Sequence, residues 1–255
     1  MLLILILAAA LRLYGIFDRD FWLDEFWTAE LSTGRGSVHL NIPVNTIVDP
    51  PPATTTLAGA PGALKVWTHM QDATHPPLYF FVLRLWRNIA GADDLSSRLL
   101  SVLSSLAAIA FLYDTISRLH GRTVAIWAAA LMALATPQIE FAQATRNYAF
   151  VLMTSLAACD ALVRIEQSGP RIGYLIWLTL ALLATALTHY FSIGALLALF
   201  LYAAIRLRGA ARWKTLAAFA ASALLFLILW GPQLRAHVHN FSSPERTTEF
   251  LYDPG

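Results

Sequence analysis

The sequence predicts an all-α fold: a polytopic bundle of about seven transmembrane helices with a long loop after the first. Three observations carry that prediction. Hydrophobic residues make up 57% of the 255-residue chain and charged residues only 13%, whereas a soluble domain carries about a quarter charged. Apolar runs recur along the chain at lengths near the ~20 residues that a bilayer core of ~30 Å requires. Short arginine-rich loops alternate with turns nearly free of lysine and arginine, the pattern that sets membrane orientation.

Candidate spans fall at 1–17, 95–117, 122–137, 147–164, 172–188, 190–206 and 214–231. The first lacks a basic n-region and reads as an uncleaved helix; a signal peptide ending near "LAAA" is the alternative and leaves downstream orientation unchanged. The stretch "PPLYFFVLRLWRNIAG" at 76–91 carries Arg84 and Arg87. Two arginines are costly at mid-bilayer, so this segment is expected to lie along the membrane surface. Basic loops hold Arg118 and Arg122, Arg164 and Arg171, and Arg206, Arg208, Arg212 and Lys214. Placed in the cytoplasm, they send the 18–94 segment, the 137–147 turn, "THYF" and the 232–255 tail to the external face. Asp114 with Arg118, and Asp160 with Arg164, are i,i+4 pairs that neutralise each other near the cytoplasmic helix ends. The organisation is thus a transmembrane domain over 1–231 and an external tail over 232–255, which reads as the start of a further region.

Composition also excludes. A net charge of +2 and the lack of any basic run argue against a nucleic-acid partner. Cys159 is the single cysteine, so an intrachain disulfide and a cysteine-based metal cluster are ruled out. There is no P-loop and no GxGxxG. No complete metal-ligand set is visible, so neither a metal nor a cofactor is expected; a divalent cation at Asp24 and Glu25 is compatible with the sequence but not indicated by it.

With the topology drawn, polar residues from separate segments gather on the external side. They are Asp24 and Glu25 in "FWLDEFWTAE", His75 in "THPPLY", Arg98, Glu140, Arg146 and Tyr148 in "PQIEFAQATRNYAF", and His189 and Tyr190 in "THYF". Each has a bland reading. The acids can cap a surface helix, His75 can bond backbone, the aromatics can form an interfacial belt, and the arginines can snorkel. The functional reading is chemical. A partly desolvated carboxylate balanced by arginines can accept a proton from an attacking hydroxyl. Arg146, Arg98 and a protonated His75 can hold a phosphate as it leaves. Pro76 and Pro77 fix the backbone at His75.

"FWLDEFWTAE", then "THPPLYFFVLRLW", then "GADDLSSRLLSVL", resembles membrane glycosyltransferases of the GT-C type, in particular the dolichyl-phosphate-mannose-protein mannosyltransferase and RgtA/B/C/D-like family. "ATRNYAF" and "THYF" are similar to that family's later elements, so the resemblance covers nearly all of 1–206. It implies a GT-C-like helix bundle in the plasma (inner) membrane that moves a sugar from a polyprenyl-phosphate-linked donor to an acceptor glycan, lipid or protein on the external, periplasmic side. By motif match, Asp24 is the catalytic base and Glu25 its support. His75, Arg146 and Arg98 are donor-phosphate contacts, and Tyr148, His189 and Tyr190 line the same cavity. The Pro/Thr/Gly-rich stretch between the acids and "HPP" is longer than the family leads one to expect, and reads as a flexible acceptor-side cover or a disordered insert. The competing readings are a transporter or flippase of a lipid-linked or small polar substrate, which requires charges at mid-bilayer and pseudo-symmetric halves, and a non-catalytic scaffold.

Overall fold

The computed structural model describes residues 1–18, 20–43, 45–50, 52–70 and 73–241, with side chains through 234. Eleven α-helices and no strand occur among them. In order they are α1 (Leu2–Leu13), α2 (Leu23–Leu31), α3 (Lys65–Thr68), α4 (Leu78–Ala90), α5 (Asp94–His120), α6 (Arg122–Leu134), α7 (Thr136–Ala142), α8 (Tyr148–Ser168), α9 (Ile172–Ala186), α10 (Ile193–Arg206) and α11 (Gly209–Phe241). Every apolar run of the sequence falls on one of these helices. By length and composition, α5, α8 and α11 suffice to cross a bilayer, and α6 with α7, bent by 63°, adds a fourth span if the pair is taken together. The remaining apolar helices are short: the 12 residues of α1 rise only ~18 Å. In the 232–255 tail, α11 continues through Pro232 to Phe241; the rest of it lies outside the described residues.

The break between α6 and α7 has a local cause. Pro137 sits at the start of α7, where it supplies no N–H and starts a new helix instead of prolonging the old one. The last carbonyls of α6 lose their helical partners as a result. Arg12, fully buried on α1, fills that gap: its Nη1 donates to Ala133 O at 3.0 Å and its Nη2 to Met132 O at 3.4 Å. Its Nε donates to Ser105 Oγ on α5 at 2.8 Å. Small residues let these helices approach. Ala125, Ala129 and Ala133 recur every four residues on α6 and are fully buried, as is Ala8 of α1, the close-packing device of helices in lipid.

α5 is the central element, packed on α8, α6, α1 and α4. Asp93 caps its start, accepting from Ser96 N at 2.9 Å. Gly121, at φ +86, ends it and begins α6 without an intervening loop. Arg98 and Arg118 lie twenty residues apart on α5, about 30 Å of helical rise and so about one bilayer core. Near Arg118 the two anticipated i,i+4 pairs merge into one network. Asp114 receives Arg118 Nε at 2.7 Å and Arg164 Nη2 at 2.5 Å, while Asp160 receives Arg164 Nε at 2.7 Å. The pairs therefore clamp α5 to α8 as well as neutralising themselves.

α4 is the segment expected to lie on the membrane surface, and both of its arginines are buried against protein. Arg87 is 3% exposed; its Nη1 donates to Ala29 O (2.9 Å) and Ser32 Oγ (2.7 Å), its Nη2 to Thr55 O (2.8 Å). Arg84 donates to Thr33 O and Pro61 O. The reason is the end of α2: its last carbonyls need donors, and a guanidinium fork supplies several at once. Burial, with Arg84 alongside, brings the Arg87 pKa down to about 10, so it stays cationic at neutral pH. With Arg35 donating to Thr56 O at 2.7 Å, these contacts fasten the Pro/Thr/Gly-rich stretch to α2 and α4, where the sequence suggested a loose insert.

Candidate active site

At the Arg98 end of the bundle, neighbouring acids on α2 have different surroundings. Glu25 is 1% exposed and saturated. It receives Arg98 Nε at 2.9 Å and Nη2 at 2.8 Å, Thr145 N at 2.7 Å, and Trp22 N at 3.4 Å as the reach-back arm of a capping box. The Asp24 side chain is 28% exposed and meets one cation, Arg146, with Oδ2 3.4 Å from Nη2. One carboxylate is thus locked into the fold while the other retains free lone pairs.

Arg146 reaches this place from the turn between α7 and α8. Its Nη1 donates to Asp24 O at 3.2 Å and to Thr28 Oγ1 at 3.1 Å. Its guanidinium lies over the Tyr148 ring, 5.5 Å from the centroid. The Arg146 Nε is buried and has no protein acceptor. The turn itself is fixed at both sides: Ser101 Oγ donates to Arg146 O at 3.3 Å, and Asn147 Nδ2 donates to Thr188 O at 3.0 Å.

His75 and His189 complete the group. Their rings lie 4.4 Å apart, and His189 stands 6.2 Å from the Tyr148 ring. Leu78 N donates to Leu187 O at 3.0 Å, which ties the chain after "HPP" to the turn that carries His189. His189 Nδ1 accepts from Phe191 N at 3.1 Å, so the neutral ring carries its proton on Nε2. Nδ1 of His75 is buried without a partner. Burial, the adjacent His189 and the charge of Arg146 push His75 down to about 3. Burial and Arg146 also lower His189. The expectation of a protonated His75 is therefore corrected: a second imidazole and a guanidinium around a desolvated ring leave it neutral at physiological pH.

The family Dolichyl-phosphate-mannose-protein mannosyltransferase matches the chain over residues 74–234, well over half its length. The chain belongs to this family. It is accordingly a mannosyltransferase-like membrane glycosyltransferase of the GT-C type, embedded by several apolar helices and supplied by a lipid-linked sugar donor. No curated protein and no solved structure matches it.

In this mannosyltransferase-family chain, the matched segment begins one residue before His75 and includes Arg98, Arg146, Tyr148, His189 and Tyr190. Asp24 and Glu25 precede it and join the group through space. Arg98 is spent on Glu25 and on the carbonyls of Ile16 and Asp20, at 3.1 and 3.0 Å, which makes it an organiser of the fold at this site. Tyr190 has its hydroxyl bonded by Trp230 Nε1 at 2.9 Å and packs against the core cluster that contains Leu187 and Trp230. Sequence reasoning missed Thr28 and Thr145, whose types carry no signal until α2 and the α7–α8 turn are seen together. It also missed Glu30, fully buried, which is paired with the His39 side chain and accepts from His39 N at 2.9 Å.

A cavity of about 740 Å³ opens beside Tyr148, within the range of small-ligand sites. Its lining includes Trp22, Glu25, Arg98, Glu140, Phe141 and Tyr148. No group of three or more potential metal ligands occurs among the described residues.

Proposed function

We propose that this protein transfers a sugar from a polyprenyl-phosphate-linked donor to an acceptor hydroxyl on the external face of the plasma membrane, with Asp24 as general base. The observation that carries the reading is the 3.4 Å approach of Asp24 to Arg146, in a cluster where His75 Nδ1 and Arg146 Nε are buried without protein partners. Buried polar groups of that kind need a partner, and a ligand's atoms can supply it.

In the reaction, the acceptor oxygen attacks C1 of the donor sugar and its proton passes to the Asp24 carboxylate. The bond from C1 to the phosphate oxygen breaks, and the electron pair leaves with the polyprenyl phosphate. Arg146 holds the departing charge. The neutral imidazoles contribute as N–H donors, since a buried uncharged ring binds phosphate by hydrogen bonding rather than by charge. Direct displacement inverts configuration at C1. Glu25 and Arg98 take no part in proton transfer; they hold α2 and the α7–α8 turn so that Asp24 and Arg146 meet. Orientation follows the basic loops, which favour the cytoplasm and lie about 30 Å of helix away from Arg98.

The test is turnover of polyprenyl-phosphate-mannose by the full chain in lipid nanodiscs, read as release of polyprenyl phosphate. Wild type releases it in an acceptor-dependent manner and Asp24→Asn does not. Equal release by both sinks the assignment of the base. Movement of an intact lipid-linked sugar between leaflets without cleavage supports a flippase instead.

A further inference from the structure

Tyr79 closes the "THPPLY" motif on the first turn of α4, and the transfer reaction gives it no task. Its side chain is fully buried, packed against the Phe150 ring with 5.8 Å between centroids. Its hydroxyl lies 3.1 Å from Ser101 Oγ, which is buried on α5 and donates to Arg146 O at 3.3 Å. The direction of this chain follows from its far end. A carbonyl can only accept, so the single proton of Ser101 goes to Arg146 O, and Tyr79 is the donor to Ser101. Burial pushes the Tyr79 phenol up, so it keeps the proton that it donates.

Two other bonds close a ring with this chain. Leu78 N donates to Leu187 O at 3.0 Å, which ties the strand of backbone after His75 to the turn of His189. Asn147 Nδ2 donates to Thr188 O at 3.0 Å, which ties that turn to the turn of Arg146. Tyr79 and Ser101 join the third pair, the His75 segment and the Arg146 turn. From this we infer that Tyr79 is a positioning residue: through Ser101 it holds the backbone of Arg146 so that its guanidinium meets a phosphate beside His75 and His189. The inference rests on the reading of that group as the phosphate site. Hydrogen bonds in such a chain order one another. Without the phenol hydroxyl, Ser101 is free to turn its proton to the Ser97 carbonyl one turn back, as serines in helices do. Arg146 O then loses its donor, and Arg146 keeps its charge but not its placement.

Phosphorus NMR and titration with farnesyl phosphate, a short polyprenyl phosphate, test this on the full chain in maltoside micelles, which contain no phosphorus. Wild type binds saturably, with a bound resonance displaced from the free one, and Arg146→Ala loses both. Tyr79→Phe and Ser101→Ala each remove one hydroxyl and leave the packing in place. Each weakens binding about three- to tenfold, the worth of one buried hydrogen bond, and at saturation moves the bound resonance towards the free position. The double variant binds no more weakly than the weaker single, because one chain is broken twice. Wild-type affinity and resonance in either single variant overturns the assignment, as do additive losses in the double. Weakened binding with an unmoved bound resonance overturns it too, and marks a general softening of the bundle. Full binding by Arg146→Ala, or none by wild type, overturns the phosphate reading itself and the assignment with it.

Discussion

Asp24 Oδ2 lies 3.4 Å from Arg146 Nη2, although 122 residues separate them in the chain. The contact joins the first turn of α2 to the turn before α8, and it is made at a partly open carboxylate. Asp24→Asn keeps the shape and removes the base. Turnover is expected to fall about 10²–10⁴-fold, the usual worth of general base catalysis, while the unfolding midpoint in detergent moves little. A large loss of stability in this variant would give Asp24 a structural role.

Glu25→Gln should behave in the opposite way. It leaves the Arg98 guanidinium buried without its counter-ion, which costs about 3–5 kcal/mol. Thermal unfolding of the purified protein should show it directly. Glu25→Leu/Arg98→Met removes both charges and should recover much of that loss, since an apolar pair of similar volume is often neutral.

Arg146→Lys keeps the charge and loses the fork that spans Asp24, Thr28 and the Tyr148 face. kcat/KM for the lipid-linked donor should drop by about tenfold or more, with KM raised, because Lys presents a point charge where Arg presents a planar array. Unchanged donor kinetics would detach Arg146 from the phosphate.

His75 makes stability depend on pH. Its folded pKa is depressed from 6.5 to about 3, so between those values the unfolded chain binds the proton and the folded one does not. Stability contributed by the neutral ring is present above pH 6.5 and is lost as pH falls towards 3. At pH 5 the loss is at most about 2 kcal/mol, reduced by the partial exposure of the ring. Unfolding midpoints from pH 7.5 to 5 should fall more steeply for wild type than for His75→Gln. Parallel curves would refute a buried neutral imidazole.

Arg87→Met should loosen the segment between α2 and α4, because three of the carbonyls that Arg87 holds belong to Ala29, Thr55 and Ala92. Limited proteolysis across residues 43–64 should accelerate severalfold while the helices of the bundle remain resistant.

The helices were legible because lipid demands long apolar runs, and each of the seven runs falls on a helix. Their true lengths were not legible. Pro137 stops α6 at Leu134, and α1 and α9 end well short of a full crossing. The group around Asp24 was legible in composition, since acids, arginines and histidines stand out in a hydrophobic chain. Their division of labour was assigned by motif match alone, and their contacts were not legible. Nothing in "LDE" tells which acid faces Arg98 and which Arg146; that follows from helical phase, which turns successive residues about 100° apart. The partners of Arg84 and Arg87 were illegible for a related reason. At mid-bilayer their charge is costly, but the unpaired carbonyls ending α2 gave them a buried use that no local pattern announces.

The Glu25–Arg98 pair bears on how genetic data for this protein should be interpreted. It draws together the carbonyls of Ile16 and Asp20, the start of α2 and the amide of Thr145. Substitutions at Glu25 or Arg98, the two side chains of that knot, are expected to abolish activity in a cell-based screen and to look catalytic there. Protein abundance measured beside activity would separate them from Asp24, whose loss should leave the protein present and silent.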